Sequence, residues 1–295
     1  MTTVHDKYQN DKKNDLPLPP RQNVQEAFKS LLRRFFQHVL TILFTNDPRK
    51  IGQVVLDGRH QFVWLREHVG RKIVLRMFER KESRYFLHYL KEGDICFDIG
   101  ANVGYYTNLF ASRVGRRGRV IAVEPIFRNV LLIQLASAIN HTDDIATVLC
   151  AAVSDADSPL SVSQRGDSSY ANIQSVIKDP GSQVEGVTID SLIKRFGLPR
   201  IDVLKMDIEG WEYKALQGMK GILSDQHVRP RIMMIELYTE HLEKYDSSIE
   251  QICEYLEQFG YHPNVLDKRG DLIPFQPEHH NIIYNVFFVD GKKKA

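Results

Sequence analysis

Three groups of residues have a spacing that chemistry can use. The first is Asp98-Ile99-Gly100-Ala101-Asn102-Val103-Gly104. Glycines here let the backbone turn tightly and approach a ligand closely. An apolar run, Ile95 to Asp98, leads into the turn, and open α/β sheets bind ligands beyond the carboxyl ends of their strands. A pyrophosphate site occupies the same place in other α/β proteins, at a helix N-terminus. In this chain the turn begins with a carboxylate, which repels a pyrophosphate and suits a cationic tail. The sequence has no GxGxxG and no Walker lysine, which disfavours NAD and ATP. The second group is Glu124, 20 positions after Gly104, ending the apolar run Val120–Val123. An acid at that point of an α/β nucleotide site bonds both ribose hydroxyls. Asp98 and Glu124 together specify a nucleoside with a cationic, methionine-like end. The expected cofactor is S-adenosylmethionine, with Asp98, Gly100, Asn102, Gly104 and Glu124 around it.

The third group is Ile201-Asp202-Val203-Leu204-Lys205-Met206-Asp207-Ile208-Glu209-Gly210-Trp211-Glu212. Lys205 lies deep in a run that reads as a central strand, and a buried lysine is costly unless paired. Strand periodicity puts Lys205 and Asp207 on one face, as ion-pair partners. Methyl transfer from a sulfonium is an in-line displacement that needs the nucleophile about 3 Å from the methyl carbon. A hydroxyl nucleophile also needs a base. Asp207, Glu209 and His241 are the candidates, with Lys205 completing the catalytic set. A divalent metal held by Asp207, Glu209 and Glu236 is the lesser alternative, and no metal site is assigned. The absence of an Asn-Pro-Pro-Tyr-like segment after this run disfavours methylation of base amino groups. His279 and His280 have no metal-like companions.

These residues need a scaffold, and the chain reads as one. Strands at 95–98, 120–123, 147–153, 201–207 and 232–237 alternate with helices after Gly104 and near 129–139, 211–219 and 248–259. Such alternation implies an α/β fold with a mostly parallel sheet covered on both faces. The runs 262–266 and 282–289 read as a final antiparallel pair. Segment 155–190, rich in Ser, Asp and Gly, interrupts the rhythm with short β-prone pieces. A helix is expected at 79–90. Upstream, Asp57-Gly58 between two β-prone runs marks a tight hairpin over 53–64.

The N-terminal region differs in character. Residues 1–22 read as a disordered tail. Val24, Phe28, Leu31, Leu32, Phe35, Val39 and Leu43 recur at helical spacing among basic residues, predicting an amphipathic helix over 23–45. A homodimer through that helix is expected, with membrane-surface contact as the alternative. The expected organisation is a tail (1–22), an accessory helix and hairpin (23–78), a catalytic domain (79–290) and a basic tail (291–295).

Apolar residues make up 43% and charged residues 26% of the 295, so a large core is expected. The net charge is +2, but residues 1–90 carry 17 Lys/Arg against 9 Asp/Glu. A basic flank of this kind meets anionic surfaces, nucleic acid or acidic partners. Cys96, Cys150 and Cys253 form no CxxC pair, and Cys96 and Cys150 read as small buried hydrophobes in strands. This usage fits a reducing cytoplasm. Neither a leader-like segment nor a membrane-length apolar run is visible.

Four segments in order resemble the FkbM-type methyltransferases. They are Phe97 to Tyr106, Val123-Glu124-Pro125, Val187-Thr188-Ile189-Asp190-Ser191-Leu192, and the run from Lys205 to Glu212 with Leu216-Gln217-Gly218. The resemblance spans about residues 79–289. It implies a Rossmann-like class I methyltransferase fold with a seven-stranded sheet, and O-methylation of hydroxyls on small metabolites, polyketides or sugars. It also implies Ser154 and Asp155 near the adenine, and Asp207 and Glu209 at the reaction centre. The family often carries a Glu-Leu-His-Pro-like sequence after strand five, whereas this chain reads Glu236-Leu237-Tyr238-Thr239-Glu240-His241. Two rival readings are an RNA 2′-O-methyltransferase and a non-catalytic module that keeps the fold. The acidic catalytic half disfavours nucleic acid; the intact set of Asp98, Glu124, Lys205 and Asp207 disfavours loss of catalysis.

Overall fold

The computed structural model describes residues 51–65, 67–164, 171–174, 183–276 and 283–291. The helix expected over 23–45, the dimer contact assigned to it, and His279 and His280 lie outside the described residues. Strands β1 (Ile51–Leu56) and β2 (Arg59–Trp64) form the expected hairpin. Its turn uses Asp57 at φ 49° and Gly58 at φ 81°, the paired positive φ that matches strand twist.

The main sheet begins with β3 (Ile95–Ile99), β4 (Arg119–Val123) and β5 (Ala146–Leu149). A smaller four-stranded sheet follows, from β6 (Ala151–Val153), β7 (Leu160–Gln164), β8 (Ala171–Gln174) and β9 (Gln183–Val187). It accounts for much of the segment that interrupts the α/β rhythm. The chain then rejoins the main sheet through β10 (Val203–Met206), β11 (Ile232–Tyr238), β12 (Tyr261–Leu266), β13 (Leu272–Pro274) and β14 (Ile283–Asp290).

The main sheet runs β13-β12-β14-β11-β10-β3-β4-β5. Pairing is parallel from β5 to β11 and antiparallel beyond it. The seven strands from β5 to β12 form the expected mostly parallel sheet, ending in the antiparallel pair read from the sequence. The eighth strand, β13, corrects the expected count of seven. It folds back on β12 through a turn in which Asp267 Oδ1 accepts the amides of Arg269, Gly270 and Asp271 at 2.7, 2.8 and 2.9 Å. Side-chain capping of this kind stabilises short turns that have no apolar pattern to announce them.

A second correction concerns the single strand expected at 147–153. It divides at Cys150 between β5 and β6, which belong to different sheets. Cys150 is therefore exposed, while Cys96 in β3 is buried as expected. A third is the helix expected at 211–219, which is two short helices, Glu212–Gln217 and Lys220–Ser224, interrupted at Gly218. A Cβ on Gly218 would collide with the Ser154 carbonyl oxygen.

Strand alternation divides the core in two. Phe97, Ile99, Ile121, Leu204 and Met206 pack on one face of the sheet, with Trp211, Leu216 and Leu256. Cys96, Val120, Val203 and Met234 pack on the other, against Phe86 of helix Arg80–Tyr89 and Phe110 of helix Tyr105–Val114. Asp98 and Lys205 share the parity of Cys96 and Val203, so they face those two helices. At the opposite end of the sheet, Arg231 pairs with Asp94 at 2.6 Å and Arg229 with Asp290 at 2.8 Å. Among the described residues no helix is long and apolar enough to cross a membrane.

Candidate active site

Strand order reverses between β3 and β10: β4 and β5 lie on one side, β11 on the other. That switch point opens a crevice beyond the carboxyl ends of both strands, where α/β sheets bind ligands. Register pairs Lys205 with Asp98 directly. The glycine turn leaves β3 here. Gly100 takes φ 72°, Asn102 φ 50° and Gly104 φ 81°, with Gly104 opening helix Tyr105–Val114. A Cβ on Gly100 would collide with the Asp207 carbonyl oxygen, so the glycine brings the two strand ends together.

Lys205 is the hub. Its Nζ donates to the Gly100 carbonyl at 3.0 Å and to Asp207 Oδ2 at 3.5 Å, and lies 3.9 Å from Asp98 Oδ1. Burial alone would push its pKa down. The carboxylates of Asp207, Asp98, Glu79 and Glu236 outweigh that and hold it above its usual range. The ion pair read between Lys205 and Asp207 is thus present, and the charge is shared more widely than strand spacing shows. Asp98 is fully buried and accepts from Thr107 Oγ1 at 2.6 Å through Oδ2. Burial raises its pKa, with Lys205 and Thr107 opposing.

Glu124 is held by its surroundings. Oε2 accepts the Asn102 amide at 2.8 Å; Oε1 accepts the Ile126 amide at 3.0 Å and Asn129 Nδ2 at 3.2 Å. Burial nevertheless pushes the carboxyl up to about 7. The bond to Asn102 ties the acid to the glycine turn, so both halves of the expected cofactor signature meet. Two buried acceptors on this turn, Asp98 Oδ1 and Asn102 Oδ1, have no hydrogen-bond donor among the described residues. An ammonium and a hydroxyl are the donors such atoms require, so the turn fits S-adenosylmethionine.

Beyond β10 the chain makes a strained turn. Glu209 takes φ 59° and Gly210 φ 103°. A Cβ on Gly210 would collide with the His241 carbonyl oxygen. Glu212 Oε1 accepts the amides of Ile208 at 3.0 Å and Gly210 at 3.3 Å, which fixes the turn. Glu209 Oε2 then comes within 2.7 Å of His241 Nδ1. Burial raises the Glu209 pKa, with His241 opposing and Asp207 adding to it. Glu236 at the end of β11 is raised well above its usual range by burial and by the charges of Asp207, Glu209 and Glu79, with Lys205 opposing. Lys205, Asp207, Glu209, His241 and Glu236 therefore form one electrostatic cluster. Among the described residues, no group of three His, Cys, Asp or Glu side chains is placed to hold a metal ion, the carboxylates of Asp207, Glu209 and Glu236 included.

Ser154 and Asp155 are placed differently. Ser154 Oγ accepts from Trp211 Nε1 at 3.2 Å and donates to Asp155 Oδ1 at 2.9 Å; Asp155 pairs with Lys214 at 3.1 Å. Their hydrogen bonds join the end of β6 to helix Glu212–Gln217, behind the Glu209 turn.

Sequence reading missed Glu79. It precedes helix Arg80–Tyr89, takes φ 33°, and accepts a short hydrogen bond from Tyr106 Oη. Burial pushes its carboxyl up to about 7, with Tyr106 and then Lys205 opposing. Of seven described non-glycine residues with positive φ, three (Glu79, Asn102 and Glu209) lie at this site. Backbone strain gathers where function must hold a geometry. The hairpin was missed as a support as well. Gln61 Nε2 donates to the Val103 carbonyl at 2.7 Å, and Gln61 Oε1 accepts from Asn108 at 2.8 Å. Trp64 Nε1 donates to Asn129 Oδ1 at 2.9 Å, and Asn129 in turn bonds Glu124.

Comparison with known proteins bears on this geometry. A family model described as Methyltransferase FkbM domain matches residues 98–263. No curated protein matches the chain. Among solved structures, a putative rRNA-methylase from Clostridium thermocellum is 12% identical, with 71% of this chain and 93% of that one covered and a TM-score of 0.45. The methyltransferase FkbM from Methylobacillus flagellatus KT is 15% identical, with coverages of 75% and 54% and a TM-score of 0.44. A SAM-dependent O-methyltransferase from Thermotoga maritima is 13% identical, with coverages of 87% and 83% and a TM-score of 0.42. The family match spans more than half of the sequence and includes Asp98, Glu124 and the Lys205–His241 cluster, and on that ground the chain belongs to the FkbM methyltransferases.

Proposed function

We propose that this S-adenosylmethionine-dependent methyltransferase acts on a hydroxyl group of a small metabolite, polyketide or sugar. The observation that carries the reading is the 2.7 Å approach of Glu209 to His241 beside the Lys205–Asp207 pair. A hydroxyl is a weak nucleophile until its proton is taken, and an imidazole oriented by a carboxylate is a suitable base. Glu209, 2.7 Å from Nδ1, stabilises the positive charge that forms when the ring takes the proton of the acceptor oxygen.

When bound, the cofactor supplies a methyl group on a positively charged sulfur. Asp98 would hold its ammonium end, and Glu124 and Asn102 its ribose hydroxyls. Lys205 keeps Asp98, the Gly100 carbonyl and Asp207 in fixed register, so the two halves of the site do not drift apart. Asp207, partly exposed, lies where the acceptor enters and orients its oxygen. Fixed charges in a water-poor site are effective because they need no reorganisation during the reaction.

The test is methyl transfer from labelled S-adenosylmethionine into a fractionated metabolite extract, with mass spectrometry of the product. The expected product carries the label on oxygen. Glu209→Gln and His241→Asn should each slow turnover by about 10²-fold or more, the range for a general base. Label found on nitrogen or carbon, or full activity in both variants, would overturn the hydroxyl reading.

A further inference from the structure

A second cavity lies outside the cluster described above. It encloses about 200 Å³ between the hairpin and helix Arg80–Tyr89. Part of its wall is apolar, including Phe78 and Leu109; Arg59, Arg76, Arg80 and Arg84 also line it. Asp57 is the one carboxylate among the described residues that line it.

The innermost arginine is poorly compensated. The Arg59 side chain is 14% exposed, whereas its partner Asp57 is 73% exposed and 3.4 Å away. Its Nε donates to the Leu56 carbonyl at 3.2 Å. Burial pushes the Arg59 pKa down, with Tyr105 and Asp57 opposing. Arg76 donates to the Val55 carbonyl at 2.9 Å. Arg80 and Arg84 are exposed and make no ion pair among the described residues. A desolvated guanidinium is costly unless an anion meets it, and planar N–H forks match the oxygens of phosphate and carboxylate groups. Apolar walls beside the charges leave room for a hydrocarbon body.

Position gives the cavity its meaning. Phe78 and Arg80 line it, while Glu79 between them turns the other way to accept from Tyr106. Tyr105 lines it too, next to Tyr106, and bonds Ser83 at 2.9 Å. Two pairs of adjacent residues thus connect the cavity to the Lys205 cluster.

We propose that this cavity binds a small molecule carrying a phosphate or carboxylate group on an apolar body. Arg59 meets the oxyanion on the inner side, and Arg80 and Arg84 close on it from the outer side. This site stands whether or not the methyl acceptor is a hydroxyl.

Calorimetry on the full chain with phenyl phosphate tests it, with inorganic phosphate and phenol as comparators. Phenyl phosphate should bind saturably at one site, more tightly than either comparator. The double variant Arg80→Glu, Arg84→Glu should weaken that binding at least tenfold and leave S-adenosylhomocysteine affinity unchanged, which controls for folding. Arg59→Met should weaken it as well. Absence of saturable binding to the unaltered chain, or equal affinity in the double variant, overturns the proposal. A second arm identifies the source of the oxyanion: labelled methyl product from an extract is passed over an anion exchanger. Retained product puts the oxyanion on the acceptor itself. Unretained product, with phenyl phosphate binding intact, puts it on a separate ligand of the same site.

Discussion

Glu124 shows how one residue joins packing to ligand binding. Its carboxyl accepts three hydrogen bonds from the protein, yet burial still pushes it up to about 7. Ribose hydroxyls are better held by the charged form than by the neutral acid. Cofactor affinity should therefore rise as pH rises through about 7, when the proton leaves. Titration calorimetry with S-adenosylhomocysteine at about pH 6 and about pH 8 measures this. Glu124→Gln should weaken binding at least tenfold at the higher pH and flatten the dependence; a variant with the original slope would assign the titration elsewhere. Asp98→Ala should also weaken binding at least tenfold, since it removes an acceptor that has no hydrogen-bond donor among the described residues. Lys205 is the companion case. Its charge is surrounded by carboxylates, so its proton stays in place at neutral pH and its role is to fix positions.

At the level of elements, the hairpin and the Glu209 turn matter most. The hairpin of β1 and β2 precedes the matched family segment, but it bonds the cofactor turn through Gln61 and the helix after Glu124 through Trp64. Gln61→Ala leaves the Val103 carbonyl and the Asn108 amide without these partners, a cost of about 1–3 kcal/mol for a buried polar group. The expected result is a lower urea midpoint with cofactor affinity reduced in parallel. An unchanged midpoint would mean that water replaces the side chain. Gly210→Ala acts on the other element. A Cβ there collides with the His241 carbonyl and must adopt φ near 103°. It should separate His241 from Glu209 and reduce kcat far more than cofactor affinity, because the Asp98–Glu124 half lies on other elements.

For the whole molecule, three carboxyls report on burial at once. Glu79, Glu124 and Glu212 are each pushed up to about 7 from an ordinary value of 4.5. The folded state keeps these protons where the unfolded chain releases them. Such groups contribute stability below the unfolded pKa, and it is lost as pH rises through the folded pKa. The ligand-free protein should therefore lose stability between about pH 5 and pH 7.5, seen as a falling urea midpoint. Glu79→Gln should reduce that fall; a midpoint that rises across this window would contradict the burial of these carboxyls. The cost gathers at one end of the sheet, where the strained residues Glu79, Asn102 and Glu209 also lie. The other end is closed by the Arg231–Asp94 and Arg229–Asp290 pairs.

Legible in the chain alone are the glycine turn, the acid at the end of β4, the mostly parallel character of the central strands and the pairing of Lys205 with Asp207. All of these rest on spacing along a single strand or turn, where periods of two and 3.6 residues place side chains predictably. The break at Cys150 and the added β13 were hidden because a short apolar run does not record which sheet it joins, nor a three-residue strand its partner. Glu79 was hidden for a stronger reason: it meets Tyr106 and Lys205 across 27 and 126 positions of chain, and its own neighbours give no sign of it. The same holds for the bonds of Gln61 and Trp64 to residues 42 and 65 positions away. Only tertiary packing decides such contacts, because burying a polar group demands a partner without specifying where in the chain that partner lies.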